Sequence, residues 1–205
     1  MSLVHVLTSM SPLEASAVAF GLAYLVLAIR QNILCWPAAL ISVLLSLVLF
    51  FEARLYSESA LQLFYAAMAL YGWYEWRYGG RRAEGETAEL PVSVWPFKWH
   101  AVAIGVSVLA TAAIGWVLAH KTRAAFPYLD TFTSVSAIVT TYMVAKKILE
   151  NWIYWIVLDS LSVYLYVARN LYLYAALFVV YVVLAVLGFM RWHRDWRAQP
   201  APEPA

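Results

Sequence analysis

The sequence predicts an all-α integral membrane protein: seven transmembrane helices, built as two parallel three-helix repeats joined by a linker helix. Three observations carry this reading. Of 205 residues, 64% are hydrophobic and 13% charged, too few charges to coat a soluble domain of this size. The apolar residues come in seven runs, at about 13–29, 34–51, 58–78, 99–119, 131–149, 152–168 and 171–190, each near the roughly 20 residues that cross a ~30 Å hydrocarbon core as a helix. The chain also repeats itself: Leu55, Tyr56, Ala60, Leu61, Tyr65, Gly72 and Trp76 return as Leu171, Tyr172, Ala176, Leu177, Tyr181, Gly188 and Trp192, each 116 residues later. A duplicated unit with one spare helix is the build of a small transporter.

The elements follow in order. No Lys or Arg occurs in the first twelve residues, so the positive region of a secretory leader is missing and the first run is expected to be a membrane span. Asn32 stands before the second run, where capping is its expected role, and Pro37 lies in that run's first turn, where proline is tolerated. Asn32 and Trp36 find Asn151 and Trp155 at 119 residues rather than 116, a register that shifts the middle of the second copy by three. Gly72 and Gly188 are expected where helices pack closely. The stretch from Arg77 to Pro96 is the one clearly polar connection, with Gly79-Gly80-Arg81-Arg82, three glutamates and two prolines. The fourth run has Gly105 and Gly115 but no Asn, Gln, Asp or Glu, as suits an anchoring linker. Three helices per copy is an odd number, so this single linker makes the two copies parallel, with a substrate path expected between them. The expected boundaries are 1–78 for the first repeat, 79–120 for the cytoplasmic loop and linker, 121–197 for the second repeat, and 198–205 for a Pro/Ala-rich disordered tail.

With seven spans, one side of the membrane holds Arg54, Lys121, Arg123 and Arg169. The other holds Arg30, Arg77, Arg81, Arg82, Lys98, Lys146, Lys147, Arg191, Arg194 and Arg197. The positive-inside rule places the second set in the cytoplasm, with the N-terminus outside and the C-terminus inside.

Most charges fall at span ends, but Asp159 lies in the middle of one. A carboxylate there costs roughly 2.5–3.5 kcal/mol on insertion scales and therefore points to function. Steps of three and four put Trp152, Trp155, Asp159, Ser162 and Tyr166 on one helical face. Indole faces attract cations for about 0.5–2 kcal/mol each, and a carboxylate pairs with charge or accepts from hydroxyls. Trp152, at the span end, reads as part of an interfacial aromatic belt; Trp155 and Asp159 read as the site. The alternative for Asp159 is a carboxyl that is protonated or bonded within the bundle. At the 119-residue offset Asp159 corresponds to Leu40, so the acid is in one copy only. On the third span Gln62, Ala69, Trp73 and Trp76 share a face, and Gln62 corresponds to Phe178. Its amide can bond a ligand or join helices for about 1 kcal/mol. Asn151 is the remaining candidate, balanced between capping and contact.

Other chemistries are not encoded. His120 stands where a phosphate loop ending at Lys121-Thr122 needs its second glycine. His5, His100, His120 and His193 fall at or beyond span ends and make no metal set, and Cys35 is alone. No catalytic grouping appears within a span. No cofactor, nucleic-acid partner or enzymatic activity is expected.

Three stretches carry a resemblance: Leu55-Tyr56 with Gln62 and Tyr71-Gly72-Trp73-Tyr74-Glu75-Trp76; Phe126-Pro127-Tyr128-Leu129-Asp130; and Glu150-Asn151-Trp152-Ile153-Tyr154-Trp155. In these the chain resembles the PnuC-type vitamin transporters that carry nicotinamide riboside. The resemblance implies a SWEET-like 3+1+3 fold in a bacterial inner membrane, facilitated diffusion, trapping by a cytosolic kinase, and a homotrimer. It implies substrate contacts at Gln62, Trp155 and Asp159, with Asn151 and Tyr166 nearby. Some family members have Asn where this chain has Asp159, and relatives carry thiamine, also a flat cation with a hydroxyl-bearing arm. The expected function is passive import of a cationic vitamin precursor, nicotinamide riboside first, stacking on Trp155 and on Trp73. The alternatives are thiamine import, proton-coupled uptake through Asp159, and a membrane sensor that moves no solute.

Overall fold

A computed structural model describes residues 11–54, 56–80, 89–121 and 126–199. Among these residues there are seven helices: α1 (Pro12–Ile29), α2 (Cys35–Glu52), α3 (Tyr56–Tyr78), α4 (Phe97–Lys121), α5 (Pro127–Ala145), α6 (Asn151–Ala168) and α7 (Tyr172–Arg197). Every apolar run is a helix. By length and composition alone, α1, α2, α4 and α7 are long and apolar enough to cross a membrane. The other three are diluted by polar side chains: Gln62 in α3, a run of hydroxyls in α5, and Asn151, Asp159, Ser160 and Ser162 in α6. Most of those hydroxyls bond their own backbone. Thr131 donates to the Pro127 carbonyl at 2.6 Å, Thr140 to Ser136 at 2.7 Å, Thr141 to Ala137 at 2.8 Å, and Ser162 to Leu158 at 2.9 Å. This lets a hydroxyl sit among apolar neighbours without an orphaned donor.

The chain forms two compact units, Met1–Pro91 and Val92–Ala205. In the first, α2 packs on both α1 and α3. In the second, α6 packs on both α5 and α7, and α4 packs on α5, so the linker helix belongs to the second unit. Its inner face is made of small residues: Ala103, Ser107 and Gly115 are buried, while Leu109 is 72% exposed. The reason for glycine at 115 is Tyr128 of α5, whose Cδ1 would stand 2.6 Å from an added Cβ.

Helix ends show how exact the duplication is. α1 opens on a capping box, with Ser11 N–H donating to Glu14 at 2.7 Å and Glu14 N–H to the Ser11 hydroxyl at 3.2 Å. It closes on Gln31 (φ 54), whose N–H meets the Ala28 carbonyl while Asn32 N–H meets Leu27, the paired bonds of a Schellman ending. Lys147 (φ 50) closes α5 in the same way, Asn170 (φ 59) closes α6, and Arg54 (φ 60) follows α2. Gln31 and Lys147 are 116 residues apart, as are Arg54 and Asn170.

The same register governs the core. The Trp36 and Trp76 rings meet edge to face at 5.4 Å and 86°, and Trp152 and Trp192 do so at the same distance and angle. Gly72 faces the Trp36 ring and Gly188 the Trp152 ring, so closely in each case that a Cβ would collide with it. Trp36 therefore pairs with Trp152, not Trp155, and the 119-residue register is overturned: the offset is 116 throughout. Two consequences follow. Asp159 is equivalent to Val43 rather than Leu40, and Trp155 to Ala39, so both are present in the second copy only. Trp152 is not an interfacial belt residue; it is 1% exposed and locked in the second unit's core.

The two asparagines are likewise not equivalent. The Asn32 side-chain oxygen accepts the Leu34 N–H at 2.9 Å, a local turn ahead of the helix; α2 itself has Leu34 at its N-cap and no side-chain cap, so the expected capping role is not met. Asn151 is the first residue of α6, fully buried, and donates its amide to the Ile148 carbonyl at 2.6 Å. Of the tail beyond 197, Gln199 sets its side-chain amide against the Val92 backbone; with the amide turned to match, it donates to the carbonyl at 3.1 Å and accepts from the N–H at 3.0 Å. Leu55, Arg81, Arg82, Arg123 and residues 200–205 lie outside the described residues.

Candidate substrate site on helices α6 and α7

The site starts from the helical face that spacing defined. Trp155, Asp159, Ser162 and Tyr166 run along α6, while Ile153 and Val157 point outward. Asp159 is 7% exposed, and among the described residues no hydrogen bond or ion pair holds its carboxylate. The alternative of a carboxyl bonded within the bundle finds no hydrogen-bond partner there. Tyr181 of α7 lies within electrostatic reach of it. Trp155 is half-buried and has no aromatic partner among the described residues, leaving both faces of its indole unstacked by other rings. Ser162 is already committed to the Leu158 carbonyl.

Further along, α7 supplies an aromatic wall. Tyr166 stacks on Tyr174 (5.4 Å, 22°) and tilts onto Phe178 (5.1 Å, 38°), and Phe178 meets Tyr181 edge-on at 5.4 Å. Beyond Tyr166 the end of α6 is tied to the start of α5: Arg169 donates to Asp130 at 2.5 Å and lies 5.5 Å from the Phe126 ring centre. Thus Phe126-Pro127-Tyr128-Leu129-Asp130 earns its motif structurally, with Pro127 opening α5, Tyr128 packing on Gly115 and Asp130 pairing with Arg169.

The remaining candidates separate. Asn151 is in α6 but at its buried first turn, with its amide oxygen enclosed and without a partner. In the first unit, Gln62 is half-buried, and its amide has no hydrogen bond among the described residues. Trp73 is 41% exposed with its ring against Tyr78, whereas Ala69, Gly72 and Trp76 make the buried face of α3. Sequence reasoning missed Tyr174, Phe178 and Tyr181 as a set. Their spacing of four and three was legible, but Tyr181 was spent as evidence for the repeat.

Among the described residues, the second unit thus carries a buried carboxylate without a hydrogen bond and, one turn away, an indole without a ring partner, on helices that are otherwise mostly apolar. The comparisons give the class. The sequence model of the nicotinamide mononucleotide transporter family matches residues 11–194, and the chain belongs to that family. It is 28% identical over 207 positions to the nicotinamide riboside transporter PnuC of Escherichia coli (strain K12), spanning 89% of this chain and 85% of that one. It is 29% identical over 184 positions to the riboflavin/roseoflavin transporter RibM of Streptomyces davaonensis, spanning 86% and 80%. The crystal structure of the vitamin B3 transporter PnuC matches its fold with a TM-score of 0.72 and 25% identity, covering 97% of this chain and 87% of that one. The protein is a multi-pass membrane transporter, not an enzyme.

Proposed function

We propose that the protein imports nicotinamide riboside across a bacterial inner membrane by facilitated diffusion, with the N-terminus outside and the C-terminus in the cytoplasm. The observation that carries this reading is the buried Asp159 carboxylate, unpaired among the described residues one helical turn from the unstacked Trp155. A flat pyridinium suits that pair: the indole attracts the cationic ring for about 0.5–2 kcal/mol, and the carboxylate attracts its charge or accepts from its ribose hydroxyls. Tyr166 and Tyr181 extend the apolar, hydroxyl-bearing wall, and Gln62 is a further polar contact on the first unit. Trp73 and Asn151 are assigned supporting roles. Because a passive carrier cannot concentrate its solute, accumulation depends on a cytosolic kinase that phosphorylates the nucleoside. A homotrimer is the proposed assembly.

Resemblance to a riboflavin carrier raises a second ligand, but the flavin ring is neutral and leaves Asp159 without a countercharge. Thiamine is cationic and satisfies the same argument as nicotinamide riboside. The test is binding to purified protein by tryptophan quenching or calorimetry, with nicotinamide riboside, thiamine and riboflavin side by side. Nicotinamide riboside should bind, and Asp159→Asn should weaken it about tenfold or more, the equivalent of one charge-assisted bond. Binding of thiamine alone, or an Asp159→Asn protein with wild-type affinity, sinks the proposal in its present form.

A further inference from the structure

The segment before α4 does more than connect. Ser93 forms an isolated bridge with Ile148 in the α5–α6 turn: Ser93 N–H donates to Lys147 at 3.0 Å, and Leu149 N–H donates back to Ser93 at 2.8 Å. Two residues on, Trp95 N–H donates to the Glu150 carboxylate at 3.3 Å. The other oxygen of Glu150 lies 3.7 Å from His100 Nε2, and His100 Nδ1 meets the Tyr154 hydroxyl at 3.1 Å. The His100 ring stacks on Tyr154 and takes the Trp95 edge. At the start of this segment, Val92 is held by Gln199 beyond α7. The contacts therefore gather the α4 start, the α5–α6 turn, the first turn of α6 and the α7 end.

From this geometry we infer that residues 92–100 are a strap that fixes the rotation of α6, with Glu150 and His100 as positioning residues for substrate binding. The inference rests on the reading of Trp155 and Asp159 as substrate contacts. Glu150 and Tyr154 are the two α6-end residues the strap grips by side chain, and Trp155 follows directly. A helix turns 100° per residue, so even a small rotation of α6 about the seated Trp152 redirects Trp155 and Asp159 together. The strap acts before the ligand arrives, by holding the face in its binding direction rather than by touching the solute.

Proline at 93 removes the donor to Lys147 and also fixes the backbone at 93 and restricts Val92, so it loosens the strap at its bridge. The control is Ser93→Ala, which keeps both backbone bonds and loses only a hydroxyl that has no hydrogen bond among the described residues. Uptake into vesicles and hydrogen exchange across 149–159 are measured on the full-length protein. Ser93→Pro should raise the KM for nicotinamide riboside about fivefold, the worth of one hydrogen bond. Its maximal rate should stay within about twofold, and exchange in the first turn of α6 should quicken; Ser93→Ala should match wild type. Should Ser93→Pro fail to reach the membrane, Glu150 decides: Glu150→Ala should reproduce the KM defect and Glu150→Gln, which still accepts from Trp95, should restore it. Unchanged KM and unchanged exchange in Ser93→Pro overturn the inference, as does a Glu150→Gln protein as impaired as Glu150→Ala. If the wild type moves no nicotinamide riboside, the functional proposal falls alone, and the exchange comparison still tests the strap.

Discussion

Gly188→Ala adds one methyl group where the structure leaves no room. The new Cβ would stand 2.6 Å from Cε3 and Cζ3 of Trp152 and 2.7 Å from Cδ2. Reaching an ordinary contact of 3.4 Å requires the indole to retreat by about 0.8 Å. The ring is 1% exposed and blocked by Trp192 edge-on at 5.4 Å, so it cannot swing as the end of a lysine could. Overpacking of this kind costs typically 1–3 kcal/mol. Replacing glycine by alanine within a helix returns roughly 1 kcal/mol; because a ring with no room to retreat puts the penalty in the upper part of that range, about 2–3 kcal/mol, the net loss is about 1–2 kcal/mol. At about 2–4 °C per kcal/mol for a chain of this size, the midpoint in detergent should fall by about 2–8 °C, read by fluorescence-detected size exclusion after heating. Gly72→Ala should cost at least as much, since its Cβ would meet Trp36 more closely still. The assignment of cause is checked by pairing Gly188→Ala with Trp152→Phe: the smaller ring frees space, so the double variant should lose less than the two single losses added. A Gly188→Ala protein as stable as wild type, or additivity in the pair, would refute the close-packing argument.

The remaining predictions concern the tryptophans, the ion pair and energetics. Trp152→Ala should cost about 3–5 kcal/mol and impair folding; Trp155→Ala, at a half-buried site without ring partners, should leave the melting midpoint nearly unchanged and still weaken nicotinamide riboside binding at least several-fold, measured by calorimetry. Asp130 and Arg169 are 37% and 31% exposed, so a double-mutant cycle should find about 0.2–1 kcal/mol of coupling, shrinking as salt rises. Uptake into vesicles should be unaffected by an uncoupler; collapse of uptake would favour proton coupling through Asp159.

The helices were legible because hydropathy reports span length, and all seven runs appear as helices. The repeat was legible in α3 and α7 because matched residues there keep one offset. It was misread in α2 and α6 because those helices each carry tryptophan near the start, and α6 offers two, Trp152 and Trp155. Identity alone favoured pairing Asn32-Trp36 with Asn151-Trp155; only the edge-to-face contact under each glycine separates the core ring from the free one. Asp159 was legible because charge in a span is costly. The strap was not, since Ser93, Trp95 and His100 join Lys147, Leu149, Glu150 and Tyr154 across some fifty residues, and backbone bridges leave no mark in residue type.

The corrected register sharpens the functional argument. In the first unit, the positions equivalent to Asn151, Trp155, Asp159 and Tyr166 are Cys35, Ala39, Val43 and Phe50, all apolar or nearly so. Conversely, Gln62 of the first copy has the apolar Phe178 as its equivalent in the second. The structural residues behave oppositely: the tryptophan pairs, the two glycines, buried Ala69 and Ala185, and the left-handed helix endings all occur twice. Duplication therefore preserved what holds a three-helix unit together and let the polar positions diverge. A symmetric solute or a purely structural bundle gives no reason for that division. A solute with a charged flat ring at one end and hydroxyls at the other does, because each end needs different chemistry from scaffolds that share one backbone plan. The corrected register also predicts that moving polarity onto the other copy fails. Val43→Asp places an uncompensated carboxylate at the scaffold position and should lower expression or stability by about 2.5–3.5 kcal/mol. In an Asp159→Asn background it should not restore binding.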